Sequence, residues 1–206
     1  MTEEQGNEYK FGQELDRKIW ITKGARFNAH HRLMCKHSWS NAAIGFLSAY
    51  VIAFTLLQYF PAISLTTKQI DIISFSAIAL SLFILVTSLL EASKSYQMKA
   101  MEFHNCGREL SSLYDKLRQI LCNPDSVNLK KLTEISSDYA VILNKCQENH
   151  DVVDYDDFRI QHRHEFKLGV LAGVWFSLMS WVKSYLFYLL LIIVPPIVIS
   201  MLLMAF

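Results

Sequence analysis

The chain has 206 residues, 52% of them hydrophobic, with 20 Lys and Arg against 19 Asp and Glu for a formal net charge of +1. A chain this apolar and this segmented is not a soluble globule. Its near-neutral balance also lacks the basic excess typical of nucleic-acid-binding proteins, so there is no direct evidence for a nucleic-acid partner.

Residues 1–9, MTEEQGNEY, hold three glutamates and few apolar groups and are expected to be disordered. A cleavable signal peptide is not expected on so polar a start, which leaves the first membrane helix as the targeting signal. From about Lys10, the spacing of Leu15, Ile19, Trp20, Phe27, Leu33 and Met34 predicts a helix with one apolar side. No proline interrupts it before Phe60, and Gly24 and Gly45 alone do not stop a helix.

Residues 39–60 carry no charge, and 70–90 carry only Asp71. Each meets the roughly 20 apolar residues that a bilayer requires. The connecting PAISLTTKQ begins with a proline and is short, so the two segments are expected to form a transmembrane hairpin. Seven basic residues precede Trp39, one lies in the turn and eleven lie between Glu91 and Lys167. Positive segments stay on the cytoplasmic side, so both ends of the hairpin are expected there, and the N-terminus with them.

Beyond the hairpin the second membrane helix is expected to run on into the cytoplasm. Phe103, Cys106, Leu110, Leu113, Leu117 and Ile120 alternate at spacings of three and four, the seam of a coiled coil. Asn123, Pro124 and Asp125 end that helix. A second helix from near Ser126 carries Leu132, Ile135, Tyr139, Ile142 and Cys146, and the two seams are expected to pack antiparallel. All four cysteines fall in segments read as cytoplasmic, where thiols stay reduced, so free thiols are expected.

Asp151, Asp154, Asp156 and Asp157, followed by Arg159, Arg163 and Lys167, suit the dipole of a short helix. Residues 168–182 are apolar but short for a span, and Trp175 and Trp181 favour an interfacial or re-entrant helix over 168–183. Gly169 and Gly173 there form a G-x-x-x-G contact face. Residues 184–206 form a C-terminal transmembrane segment interrupted by Pro195 and Pro196. Its end is expected outside, or back in the cytoplasm if 168–182 spans as well. The fold class is therefore an all-α membrane protein, a long-stemmed transmembrane helical hairpin with a cytoplasmic helical bundle over 91–167.

The stretch before the hairpin reads K-x-A-R-x-N-A-x-x-R-L-x-x-K from Lys23 to Lys36, followed by Ser40 and Asn41. It resembles the entry helix of the SLATT family, small bacterial proteins with a two-helix membrane hairpin between cytoplasmic helices. The resemblance covers about residues 10–167, and the hydrophobic tail is similar to that of a subgroup found beside reverse transcriptases in anti-phage loci. It implies a membrane effector of bacterial antiviral defence, acting at the inner membrane once infection is sensed. The partners so implied are a defence sensor, a reverse transcriptase or a nucleotide second messenger.

Asn41, Ser48 and Thr55 recur every seven residues on the first membrane helix, with Gln58 three further on. Asp71, Ser74, Ser81, Ser88 and Glu91 make the matching stripe on the second. Polar groups facing lipid are costly, so these stripes must point at protein or water. Two readings stay open. In one, the hydroxyls let helices pack, beside the small strips Gly45, Ala49, Ala53 and Ala77 with Ser81. In the other, a homo-oligomer turns the stripes inward as a pore, with Asp71 and Glu91 as charged rings.

Lys23, Arg26, Arg32 and Lys36 are candidate contacts for anionic lipid headgroups or for a phosphate-bearing ligand. No metal site or cofactor is expected: His30 and His31 diverge by about 100 degrees on a helix, and His104 with Cys106 and His162 with His164, two residues apart, do not share a face either. The chain has no phosphate-binding loop, dinucleotide fingerprint or nucleophile elbow, so an enzyme is not expected. The function read from the sequence is membrane disruption by an oligomer, with a membrane-anchored scaffold for a defence enzyme as the alternative.

Overall fold

A computed structural model describes residues 3–60, 65–123, 127–146 and 148–205. Six helices follow in order: α1 (Glu3–Leu57), α2 (Thr67–Ser93), α3 (Tyr96–Leu121), α4 (Leu129–Lys145), α5 (Val152–Gln161) and α6 (Val170–Ala205). No strand occurs among the described residues, so the fold is all-α. Helices α1, α2 and α6 each contain a stretch long and apolar enough to cross a membrane. The chain forms two compact units, 1–34 with 97–180, and 35–96 with 181–206.

In the first unit the two predicted seams meet. Cys106, Leu110, Leu113 and Leu117 of α3 pack with Leu132, Ile135, Tyr139 and Ile142 of α4, and Leu15 and Ile19 of α1 complete the cluster. Each fully buried side chain of this size contributes about 1.5–3 kcal/mol. The α3–α4 pair is antiparallel, since Glu109 meets Lys145 at 3.2 Å and Cys106 meets Cys146 at a Cα separation of 6.4 Å. Those two cysteines form a disulfide, which overturns the expectation of four free thiols; Cys35 and Cys122 lie outside it. Compartment chemistry sets whether thiols oxidise, but helix register brought these two together.

Three boundaries differ from expectation. Residues 3–9, read as disordered, continue α1: Tyr9 packs on the core cluster, and Glu8 Oε1 accepts the Leu129 N–H at 2.9 Å, serving an orphan donor at the start of α4. The second membrane helix does not run on into α3, because the chain breaks at Ser95, whose φ of 50 is in the left-handed region. That conformation costs a non-glycine residue about 1–2 kcal/mol. Third, the short helix expected over 168–183 is not separate, since α6 is one element of 36 residues with Pro195 and Pro196 inside it. The turn at Pro124 and Asp125 lies outside the described residues, as does Ser126; α4 begins at Leu129 behind Asn128, whose side chain accepts the Lys131 N–H.

The second unit is tied by a small cluster of Ala43, Leu47, Tyr188 and Leu191, with Trp39, Tyr50, Leu80, Ile84 and Ile192 around it. The strip Gly45, Ala49 and Ala53 is exposed and does not pack within the chain. Ala43 and Leu47 lie on a different face of α1, and that face meets α6. Most of α2 is also uncovered, including Phe75, Ile78, Leu82 and Leu89, the surface that a lipid environment accommodates. Thr66 starts α2 with a full capping box to Gln69.

Candidate functional site

Among the described residues of the apolar second unit, four polar side chains besides Tyr188 are buried: Ser40 on α1, Thr87 and Glu91 on α2, and Ser184 on α6. Glu91 is the centre of them. Tyr188 Oη donates to Glu91 Oε2 at 2.9 Å, Lys94 Nζ pairs with Glu91 Oε1, and the Ser40 hydroxyl reaches the same carboxylate. The Tyr96 and Tyr188 hydroxyls lie 3.3 Å apart. Three helices thus converge on one carboxylate whose charge is balanced by a neighbouring ammonium. Ionisable groups at a membrane boundary pair in this way because an isolated charge there is expensive. The cluster fastens α6 to the hairpin.

The predicted stripes are placed differently. Ser48, Thr55 and Ser81 each donate to the carbonyl four residues earlier on their own helix, at 2.9, 2.7 and 2.7 Å. Gln58 Nε2 donates to Ser74 Oγ at 3.3 Å, the one contact that joins the two stripes among the described hydrogen bonds. Asn41 lies 3.2 Å from His37 Nε2 on the same helix. Asn41, Asp71, Ser74 and Ser81 are exposed, Ser88 is half-buried, and Glu91 is turned away into its cluster. Asp71 edges an apolar groove of about 650 Å³ between α2 and α6, which also takes in Phe75, Phe83, Pro195 and Ile199.

In the first unit the basic motif is engaged by α5 and the loop before it. Asp151 caps α5, and Asp154 completes a capping box by accepting the Asp151 N–H at 2.9 Å. Asp154 is fully buried and takes a fork from Arg32, Nε to Oδ1 at 2.7 Å and an Nη to Oδ2 at 2.9 Å. Its backbone carbonyl accepts from Asn28 Nδ2 at 3.1 Å, while Gln161 Nε2 donates to Asn28 Oδ1. Phe158, from the next turn, covers Gly24 so closely that a Cβ there would lie 2.0 Å from the ring.

Arg26 is buried, donates to the Glu148 carbonyl and lies over the Phe103 ring. Burial pushes its pKa down, against the pull of Tyr139, Glu102 and Asp154. Lys23 Nζ sits 4.2 Å from the centroid of the Tyr114 ring, and Lys36 is half-buried. Burial, then Arg26, hold the His150 imidazole below its ordinary range. Burial raises the Asp157 carboxyl, with the Ser180 hydroxyl opposing it.

Sequence reasoning missed Tyr188 and Asp154 as partners. Tyr188 was one tyrosine in an apolar tail, and Asp154 one of four aspartates explained by a helix start. The spacing of Asp151 and Asp154 as cap and third helical residue was the only local signal.

Long apolar helices closed by a buried, charge-balanced polar cluster define a multi-span helical membrane protein. The chain belongs to the SMODS and SLOG-associating 2TM effector domain family 5, whose profile matches residues 8–202. Membership makes it a membrane effector of the kind found in defence systems. No curated protein and no solved structure matches the chain.

Proposed function

We propose that this effector assembles into a homo-oligomer in the bacterial inner membrane and opens an ion path when a defence system is triggered, its N-terminus in the cytoplasm. The observation that carries the reading is the exposure of Asp71, Ser74 and Ser81 on α2, a helix apolar enough to cross a bilayer. Polar groups at membrane depth face protein or water rather than lipid. Within the chain the Ser81 hydroxyl is met by the Ala77 carbonyl and Ser74 by Gln58; neighbouring subunits with a shared aqueous lumen would give the whole stripe, Asp71 included, a face away from the acyl chains. The uncovered strip Gly45, Ala49 and Ala53 suits the close helix approach that assembly needs.

In this reading the chain is not an enzyme. A sensor, a reverse transcriptase or a nucleotide messenger supplies the trigger; of the basic residues read as ligand or headgroup contacts, Arg26 and Arg32 are turned inward onto the Glu148 carbonyl and Asp154, so that role is not theirs. The test is membrane potential in expressing bacteria, read with a voltage-sensitive dye, with wild type and the Ser74→Leu, Ser81→Leu pair at matched membrane levels. Depolarisation by wild type and not by the variant supports the pore. If neither depolarises, even with the neighbouring defence genes and phage present, the pore reading fails and a membrane-anchored scaffold for a defence enzyme takes its place.

A further inference from the structure

The apolar groove of about 650 Å³ between α2 and α6 has one charged end. Phe75, Ala79 and Phe83 of α2 line one side, and Pro195 and Val198 of α6 the other, with the buried Ile199 between them. Phe75 is 74% exposed, so the groove opens outward, toward the bilayer that these helices cross. From Asp71 to Phe83 it runs for twelve residues of helix, about 18 Å. One leaflet contributes about half of the roughly 30 Å of hydrocarbon in a bilayer. The groove is therefore about one leaflet deep. A spanning helix of a second copy needs about twice that length to lie along it.

Asp71 closes the groove in the second turn of α2, just behind the cap at Thr66 and so at headgroup depth. Lys68 precedes it by three residues, a spacing that puts the two side chains next to each other on the helix surface. Both are exposed. Neither makes an ion pair or a hydrogen bond among the described residues. An ammonium and a carboxylate thus stand at the headgroup end of a slot that is otherwise apolar.

We propose that this groove seats an acyl chain of a phospholipid whose headgroup carries a phosphate and a primary ammonium, the chemistry of phosphatidylethanolamine. The chain lies against Phe75, Ala79 and Phe83. The lipid ammonium donates to the Asp71 carboxylate, and Lys68 donates to the phosphate. Both are charge-assisted bonds, and they strengthen as the dielectric falls below that of water. The apolar lining accepts any acyl chain, so selection rests with the charged end. A phosphatidylglycerol offers Asp71 no cation, and a phosphatidylcholine offers a cation with no N–H.

The site does not rest on the pore reading. At 100 degrees per residue, Phe75, Ala79 and Phe83 fall on one side of Asp71, and Ser74 and Ser81 on the other. A lipid held on the first side leaves the second free, and its binding is read without ion flux.

The test is native mass spectrometry of the full-length chain in detergent. The probe is an equimolar mixture of phosphatidylethanolamine, phosphatidylcholine and phosphatidylglycerol with distinguishable masses and chains of matched length. The phosphatidylethanolamine adduct is expected to exceed each of the others by about tenfold. Asp71→Asn is expected to cut that preference to about threefold or less. Ala79→Trp, which fills the groove from an exposed position, is expected to lower all three adducts together. Equal retention of the three lipids overturns the proposal, as does a preference that survives Asp71→Asn. Adducts unmoved by Ala79→Trp put the lipid elsewhere and overturn it too. A dimer that Ala79→Trp abolishes gives the groove to a second copy instead.

Discussion

Replacing Asp154 by Asn removes the charge from the acceptor that holds α5 on α1. The Arg32 side chain is 13% exposed and that of Asp154 fully buried, so solvent cannot stand in for the lost partner. Breaking a buried pair by removing one member costs about 3–5 kcal/mol, because the remaining charge stays buried. An asparagine oxygen placed where Oδ2 stands can still accept from the Asp151 N–H and from one Arg32 nitrogen, but its NH2 then faces Arg32 Nε, donor against donor, and the fork is lost. In a chain of this size about 1 kcal/mol moves the melting temperature by roughly 2–4 °C, so the expected fall is about 6–20 °C. The assay is thermal unfolding of the full chain in detergent, followed by circular dichroism. Replacing both residues, Arg32→Leu with Asp154→Leu, is expected to recover much of that loss, since an apolar pair leaves no stranded charge. The reasoning is refuted if Asp154→Asn melts within about 3 °C of wild type, or if the double replacement falls by the sum of the single ones.

Gly24→Ala ought to gain about 1 kcal/mol of helix propensity, yet its Cβ would meet Phe158 ring carbons at 2.0 and 2.1 Å. That ring is held by Trp20 and His162, with centroids at 4.7 and 4.3 Å, so overpacking of about 1–3 kcal/mol wins and the variant melts lower. Against a Phe158→Ala background the same change is expected to raise the melting temperature; a fall there would place the clash elsewhere. The His150 prediction concerns pH. Its folded pKa lies below the ordinary value of 6.5 through burial and Arg26. The fold therefore favours the neutral ring. The resulting stability is present above about pH 6.5 and is lost as pH falls through the folded value. Melting temperatures measured from about pH 8 to 5 should drop more steeply for wild type than for His150→Gln, and parallel curves would show that the ring does not titrate with unfolding.

What could be read from the chain alone was whatever depends on neighbours in sequence. The runs 39–60, without a charge, and 70–90, with Asp71 alone, were legible as candidate membrane stretches because a bilayer requires length and apolarity, both local properties. The seams on α3 and α4 were legible because a helix places every third or fourth residue on one side, and those residues do form the core of the first unit. The family, too, was visible in the order of residues from Lys23 to Lys36, and its profile covers 8–202.

What those residues touch was decided only by the tertiary structure. A basic motif beside a membrane helix reads as lipid-facing, yet Arg32 reaches a carboxylate 122 residues away, and Gly24 makes room for a ring from α5. Glu91 shares a sequence period with Ser74 and Ser81, but its side chain is withdrawn by Tyr188, 97 residues on. Cys106 and Cys146, 40 residues apart, meet through the register of two antiparallel helices. Periodicity specifies which face of a helix is apolar or polar. Which distant group comes to satisfy a buried charge, a glycine's open face or an unpaired thiol depends on packing between elements, and no local pattern encodes that.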